Sequence, residues 1–215
     1  MYYRQKDLYT YHNWRHLSIN EGLIGLERTL MEFEQLALLC QTQTNDLPSI
    51  AMIDGALMGL LIDLPQFTPQ KQSEALLRLC QALDLFKKLS IPVCSYISES
   101  RKGECLHFLR LAHCPFEKAQ CQNLCEPEKE ACKGFMPLSD ATLWSRRLNR
   151  GERSPLFTNT QKYPESLAPH QMCFFYLNVG TEVARIELPR WAADLPQGLD
   201  RLHGLIYAQV QKGQG

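Results

Sequence analysis

The sequence predicts a mixed α/β protein: one central sheet flanked by helices, with a cysteine-rich insertion. Three observations carry that expectation. Long stretches with apolar residues every three or four positions alternate with short apolar runs rich in β-branched and aromatic residues. Two of the strand connections read as hairpins, so the sheet is not all parallel. Residues 113–134 break the pattern with a polar, cysteine-dense tract.

The elements follow in order. Residues 20–40, "NEGLIGLERTLMEFEQLALLC", place Leu23, Leu26, Leu30, Phe33, Leu36 and Leu39 at helical spacing. "QTQTNDLP" is a linker, and the segment 1–44 is expected to form an N-terminal helical piece ahead of a domain spanning 45–215. "SIAMIDGALMGLLID" reads as two strands turning near Gly55–Gly59, and "PQFTP" as a loop. Residues 70–89 form a second helix, with Leu76, Leu79, Cys80, Leu83, Phe86 and Leu89 on one face. "IPVCSYIS" is a short buried strand, and residues 101–112 are helical. "SDATLWSRRLNRGERS" is a helix capped by Ser139 or Asp140 and ending at Gly151. "MCFFYLNVG" and "EVARIELPRW" pair as strands, and "GLDRLHGLIYAQVQ" closes the chain as a helix.

Composition excludes several classes. With 45% hydrophobic and 21% charged residues among 215, the chain can bury a core and is not a solvated tail. A formal net charge of zero removes bulk electrostatics as an argument for nucleic-acid binding, though a local basic groove is compatible with it. No apolar run is long enough to span a bilayer and the polar, aromatic N-terminus lacks a signal-peptide core, so a cytoplasmic protein without a membrane partner is expected. Nine cysteines, an odd number, favour metal ligation or buried thiols over a disulfide framework.

Four acids stand out: Asp54 inside an apolar run, Glu104 after a strand end, Asp140 at a helix start, and Glu187 within a strand. Each has a structural alternative. Asp140 may be read as a cap, Glu104 as a helix-start acid, and Glu187 as the partner of Arg185 or Arg190 at a sheet edge. Asp54 is the hardest to explain that way, because an unpaired carboxylate among apolar residues is costly. Acids gathered at strand ends repel one another, and Mg²⁺ or Mn²⁺ with oxygen ligands relieves the repulsion. Arg101 and Lys102 lie beside Glu104, and Arg146, Arg147, Arg150 and Arg153 follow Asp140, which suits a phosphate-bearing substrate. No Walker loop, GxGxxG loop, nucleophile elbow or histidine metal motif is present.

The insertion carries Cys114-x6-Cys121-x3-Cys125-x6-Cys132. Four thiolates in a short polar tract can close a structural Zn²⁺ site or hold an iron–sulfur cluster. Cys40, Cys80, Cys94 and Cys173 fall in apolar patterns and are expected in the core; Cys105 fits either setting.

In order and spacing, "IAMIDGA", "IPVCSYISESRKGE", "LSDATLWSRRLNRGERSPLF", "CFFYLNVGTEVARIELPRW" and "VQKGQG" resemble the NurA nucleases, most closely their cysteine-containing cyanobacterial branch. The resemblance covers residues 45–215. It implies an RNase H-like core, Mn²⁺ or Mg²⁺, and DNA cleavage running 5′ to 3′ with single-strand endonuclease activity. It further implies a homodimer that works with a HerA-type hexameric translocase on double-strand break ends. On this likeness Asp54, Glu104 and Asp140 hold the catalytic metal, Glu187 joins them as an acid common in the family, and Arg101, Lys102, Arg150 and Arg153 contact DNA. Ala56 stands where the family usually has Ser. The family also continues beyond the last glycine with Tyr-Pro and Ala-His segments that complete its active site, so a truncated chain is expected. The alternative functions are a catalytically silent RNase H-like scaffold with a metal-stapled insertion, and a nuclease acting on RNA.

The insertion is directly testable. Metal analysis of the purified chain should find about one zinc per chain or an iron–sulfur chromophore. Metal-free protein with four reactive thiols in this tract overturns the assignment.

Overall fold

The computed structural model describes residues 21–42, 48–57, 59, 64–117, 138–159 and 164–213. Its centre is a five-stranded mixed sheet: β1 (Ala51–Asp54), β2 (Val93–Ile97), β3 (Phe157–Thr158), β4 (Met172–Asn178) and β5 (Val183–Pro189), in the spatial order β1-β2-β5-β4-β3. β1 and β2 are parallel, and every other pairing is antiparallel. The mixed sheet expected from the sequence is therefore present, and the β4–β5 hairpin is its longest ladder.

The register divides the sheet into two faces. Ile53, Ser95, Glu187 and Phe174 lie in one row across four strands; Asp54, Tyr96, Ile186 and Phe175 form the next row, facing the other way. The first face is covered by α1 (Glu21–Gln41) and α2 (Pro69–Lys88), through Leu26, Leu30, Phe33 and Ala37 against Leu79, Leu83 and Phe86. The second is covered by α5 (Arg190–Asp194) and α6 (Gly198–Gly213), through Ala192, Leu202 and Ile206. Two short helices, α3 (Glu104–Ala112) and α4 (Asp140–Ser145), pack on the first face beyond the end of β2.

Local chemistry explains the boundaries. Thr68 caps α2 by accepting from the Lys71 backbone N–H, and Pro69 supplies a preset first turn. Arg78 of α2 clamps α1, donating from Nε to Glu34 at 2.6 Å and from Nη1 to Glu27 at 2.7 Å; Lys71 also bonds Glu27.

Three expectations are corrected. The second strand of a hairpin in residues 49–63 is not seen among the described residues: Gly55 takes φ +95°, its N–H bonds Tyr96 O, and Leu57 and Gly59 have helical backbone. The helix starting at Ser139 ends at Ser145 rather than Gly151. Ser139 is its cap, accepting from Thr142 N, and residues beyond Ser145 continue as turns to Gly151, which needs φ +83°. The short strand β3 was not anticipated, since two residues carry no period. Cys40, Cys94 and Cys173 are buried as expected, whereas Cys80 and Cys105 are half-buried, all as free thiols.

A buried histidine joins the 3₁₀ turn Glu165–His170 to α2 and α5. Trp191 Nε1 donates to His170 Nδ1 at 3.1 Å, so the ring hydrogen sits on Nε2, 3.2 Å from Asp84 Oδ1. Burial holds the His170 imidazole below its usual range; Lys87 acts in the same direction and Asp84 against it. The unfolded chain therefore binds this proton more readily. The stability His170 contributes is complete above about pH 6.5 and is lost as pH falls through its lower folded value. Urea midpoints measured from neutral to mildly acid pH should fall more steeply for the wild-type chain than for His170→Gln. Equal slopes would contradict this.

Candidate functional site

The polar centre of the protein is built on β5. Arg185 and Glu187 point to the same face two residues apart, and both are fully buried. Arg185 Nε donates to Glu187 Oε1 at 2.9 Å. Its other two nitrogens form a fork on Glu104, Nη1 to Oε2 at 2.9 Å and Nη2 to Oε1 at 3.2 Å. Nη1 also donates to Tyr176 Oη at 2.9 Å, and the guanidinium carbon lies 3.8 Å from the Phe174 ring centroid. Burial works against the Arg185 charge, but Tyr176, Glu104 and Glu187 outweigh it and raise its pKa.

Tyr176 passes the network on by donating to Asp140 Oδ2 at 2.8 Å. Burial pushes the Tyr176 phenol well up, with Asp140 reinforcing and Arg185 opposing, so the hydroxyl remains a donor. Asp140 is fully buried, and its two oxygens accept from Cys105 N and Leu106 N, each at 2.9 Å. These are orphan donors of the first turn of α3, whose own cap position is Gly103, without a side chain to offer. Asp140 thus caps α3 from a neighbouring helix. Burial, and then Asp140, push the Cys105 thiol up to about 12, so it is no nucleophile.

The four acids therefore divide. Glu104, Asp140 and Glu187 are joined through Arg185 and Tyr176. Asp54 is separate: the register places it on the opposite face from Glu187, at the last position of β1. It is exposed, which corrects the expectation of a carboxylate enclosed in a core strand. The break at Gly55 ends the strand and leaves Asp54 at its tip, with no side-chain partner among the described residues. Glu187 pairs with Arg185 as expected, but on a central strand rather than at a sheet edge. Among the described residues, no group of three or more His, Cys, Asp or Glu side chains is arranged to hold a metal ion. Of the insertion cysteines only Cys114 is described; Cys121, Cys125 and Cys132 lie outside the described residues.

The four cations divide as well. Arg101 and Lys102 are exposed, between β2 and α3. Arg150 instead bonds Gln211 of α6 and lies over Gly180, where a Cβ would come within 2.9 Å of it. Arg153 bonds Asp200 of α6 at 2.9 Å. Both tie the loop after α4 to the second face of the sheet.

The family model for the NurA domain matches residues 16–215. The chain belongs to the NurA family. This is a family of nucleases, and the match covers every described element of the fold. No curated protein and no solved structure matches the chain significantly. Among the described residues no helix is long and apolar enough to cross a membrane.

Of the four acids, Asp54 and Glu104 are open to solvent, the latter 43% exposed in its side chain. Both follow from the carboxyl ends of the parallel strands β1 and β2, the side of such a pair where ligands collect. As hard oxygen donors they fit Mn²⁺ or Mg²⁺. Asp140, enclosed and bonded at both oxygens, fits a positioning role. Sequence reasoning paired Arg185 with Glu187 but missed its fork on Glu104, and missed Tyr176 altogether. The signal was present in the paired charges of "ARIEL", two positions apart on an otherwise apolar strand.

Removing the guanidinium should be severe. Arg185→Met leaves buried Glu187 without its cation and is expected to cost about 3–5 kcal/mol in urea unfolding. Asp140→Asn turns an NH₂ group toward backbone donors and is expected to cost about 1–3 kcal/mol. Wild-type stability in either variant would contradict the network.

Proposed function

We propose that this chain is a metal-dependent DNA nuclease with an RNase H-like core. It hydrolyses phosphodiesters from 5′ to 3′, and cuts single strands, during double-strand break end processing. The NurA family match carries this reading, and the exposed acid at the tip of β1 supports it. Asp54 and Glu104 would each offer an oxygen donor to Mn²⁺ or Mg²⁺, which supplies Lewis-acid charge for phosphodiester hydrolysis. Arg185 keeps the Glu104 carboxylate in one orientation, and Asp140 fixes the helix turn that carries it. Arg101 and Lys102 offer charge to the DNA backbone beside Glu104. A homodimer acting with a HerA-type hexameric translocase completes the proposal, with Zn²⁺ or an iron–sulfur cluster in the cysteine insertion.

A second reading, a catalytically silent scaffold, is favoured by one observation: the register puts Asp54 on the opposite face of the sheet from the Arg185 network that holds Glu104. Substitution separates the two. Asp54→Asn should abolish Mn²⁺-dependent DNA degradation while leaving circular dichroism and melting temperature unchanged, because the side chain is exposed. Full activity in Asp54→Asn overturns the mechanism. A wild-type chain that degrades no DNA with either metal supports the scaffold.

A further inference from the structure

The solvent-facing side of α3 carries the wrong residues for a solvated surface. Leu106 is the buried residue of this helix. The outward arc contains Glu104, His107, Phe108, Leu111 and Ala112, all exposed. Phe108 is 70% exposed and Leu111 46%. Phe108 and Leu111, three residues apart, place two apolar side chains side by side in water on one face of the helix. The position of the ring is informative. Phe108 lies four residues after Glu104, on the same helix face and about 6 Å further along the axis. Arg101 and Lys102, both exposed, precede the same helix. Cations, acid and ring therefore occur in that order along one short stretch.

We propose that Phe108 is a stacking platform for an unpaired nucleobase next to the phosphate held beside Glu104. This rests on the nuclease reading above and adds to it a residue that grips the base rather than the backbone. Exposed cations and acids alternate here, Arg101 and Lys102 between Glu99 and Glu104; the cations meet phosphates, and the ring offers its face to any base without regard to sequence. A protein or a segment of this chain could cover an apolar ring too, but neither would distinguish a strand with bases from one without.

The experiment uses that distinction. Binding of the full chain to fluorescent single-stranded oligo-dT, and to an oligonucleotide of equal length with abasic sites throughout, is measured in chelator to prevent cleavage. Phe108→Ala should weaken oligo-dT binding about tenfold, leave abasic-strand binding unchanged, and keep the wild-type melting temperature. Phe108→Trp should restore oligo-dT binding. Combined Arg101→Ala and Lys102→Ala should weaken both strands and flatten the salt dependence. Wild-type oligo-dT affinity in Phe108→Ala overturns the proposal and leaves the nuclease reading standing. Equal losses on both strands with a lowered melting temperature also overturn it, since the ring would then be covered by protein. A wild-type chain that neither binds nor cuts any nucleic acid removes both readings together.

Discussion

A single buried guanidinium holds the polar centre of this protein together. Arg185 sits inside the sheet's first face, where an uncompensated charge would cost several kcal/mol. Its side chain is satisfied by Glu187 on its own strand, Glu104 on α3 and Tyr176 on β4, with Phe174 stacked beneath it. Because each partner comes from a different place in the chain, the charge is tolerated only when β4, β5 and α3 are together in register. The network is thus a coincidence detector for the native topology. It tolerates little, since losing one acceptor leaves the remaining groups buried and mismatched.

The same network explains how two weak helices persist. α3 and α4 have nine and six residues, too short to be stable alone. α3 also lacks a side chain at its cap. Asp140 supplies the missing acceptors from α4, and Lys102 O receives the Asp140 N–H in return. The two helices terminate each other. Tyr176 then fastens the pair to β4, and Trp144 and Phe157 add ring contacts around it. Glu104, on the first turn of α3, takes its position from this arrangement.

Much of the fold was legible because apolar period survives in sequence. The α2 face follows the three-and-four spacing; the α1 face follows it to Phe33, then runs through Ala37 and Cys40 and leaves Leu39 exposed. The β4–β5 pair follows from two β-rich runs across a short turn. The site was less legible, for a physical reason. The meeting of Arg185, Glu104 and Asp140 depends on strand register and on the chain returning after a long cysteine-rich tract, and neither is written in local spacing. Asp54 misled for the opposite reason. Its apolar neighbours suggested burial, but the strand ends at the residue itself, because Gly55 takes a positive φ that other residues rarely adopt. Read as a run, "AMIDGALMGLL" suggests a hairpin; read with Gly55 as a stop, "AMID" is one strand with an exposed tip.

The division of labour among the acids follows from these positions. Two carboxylates, Glu104 and Glu187, face one guanidinium, and a third, Asp140, joins them through Tyr176. Glu187 and Asp140 are consumed by burial and by backbone donors. Glu104 alone has one side on Arg185 and the other toward solvent. A carboxylate fixed on one side and open on the other needs no reorganisation to meet a cation, which is the condition for a strong site in a polar cleft. Asp54 is exposed but sits on a strand paired to β2, the strand that leads to Glu104. Rigidity at the two acids thus arises by different means, a guanidinium fork for one and a parallel ladder for the other. Both depend on β2, whose neighbour β5 carries Arg185, so the buried charge and the exposed acids are parts of one construction.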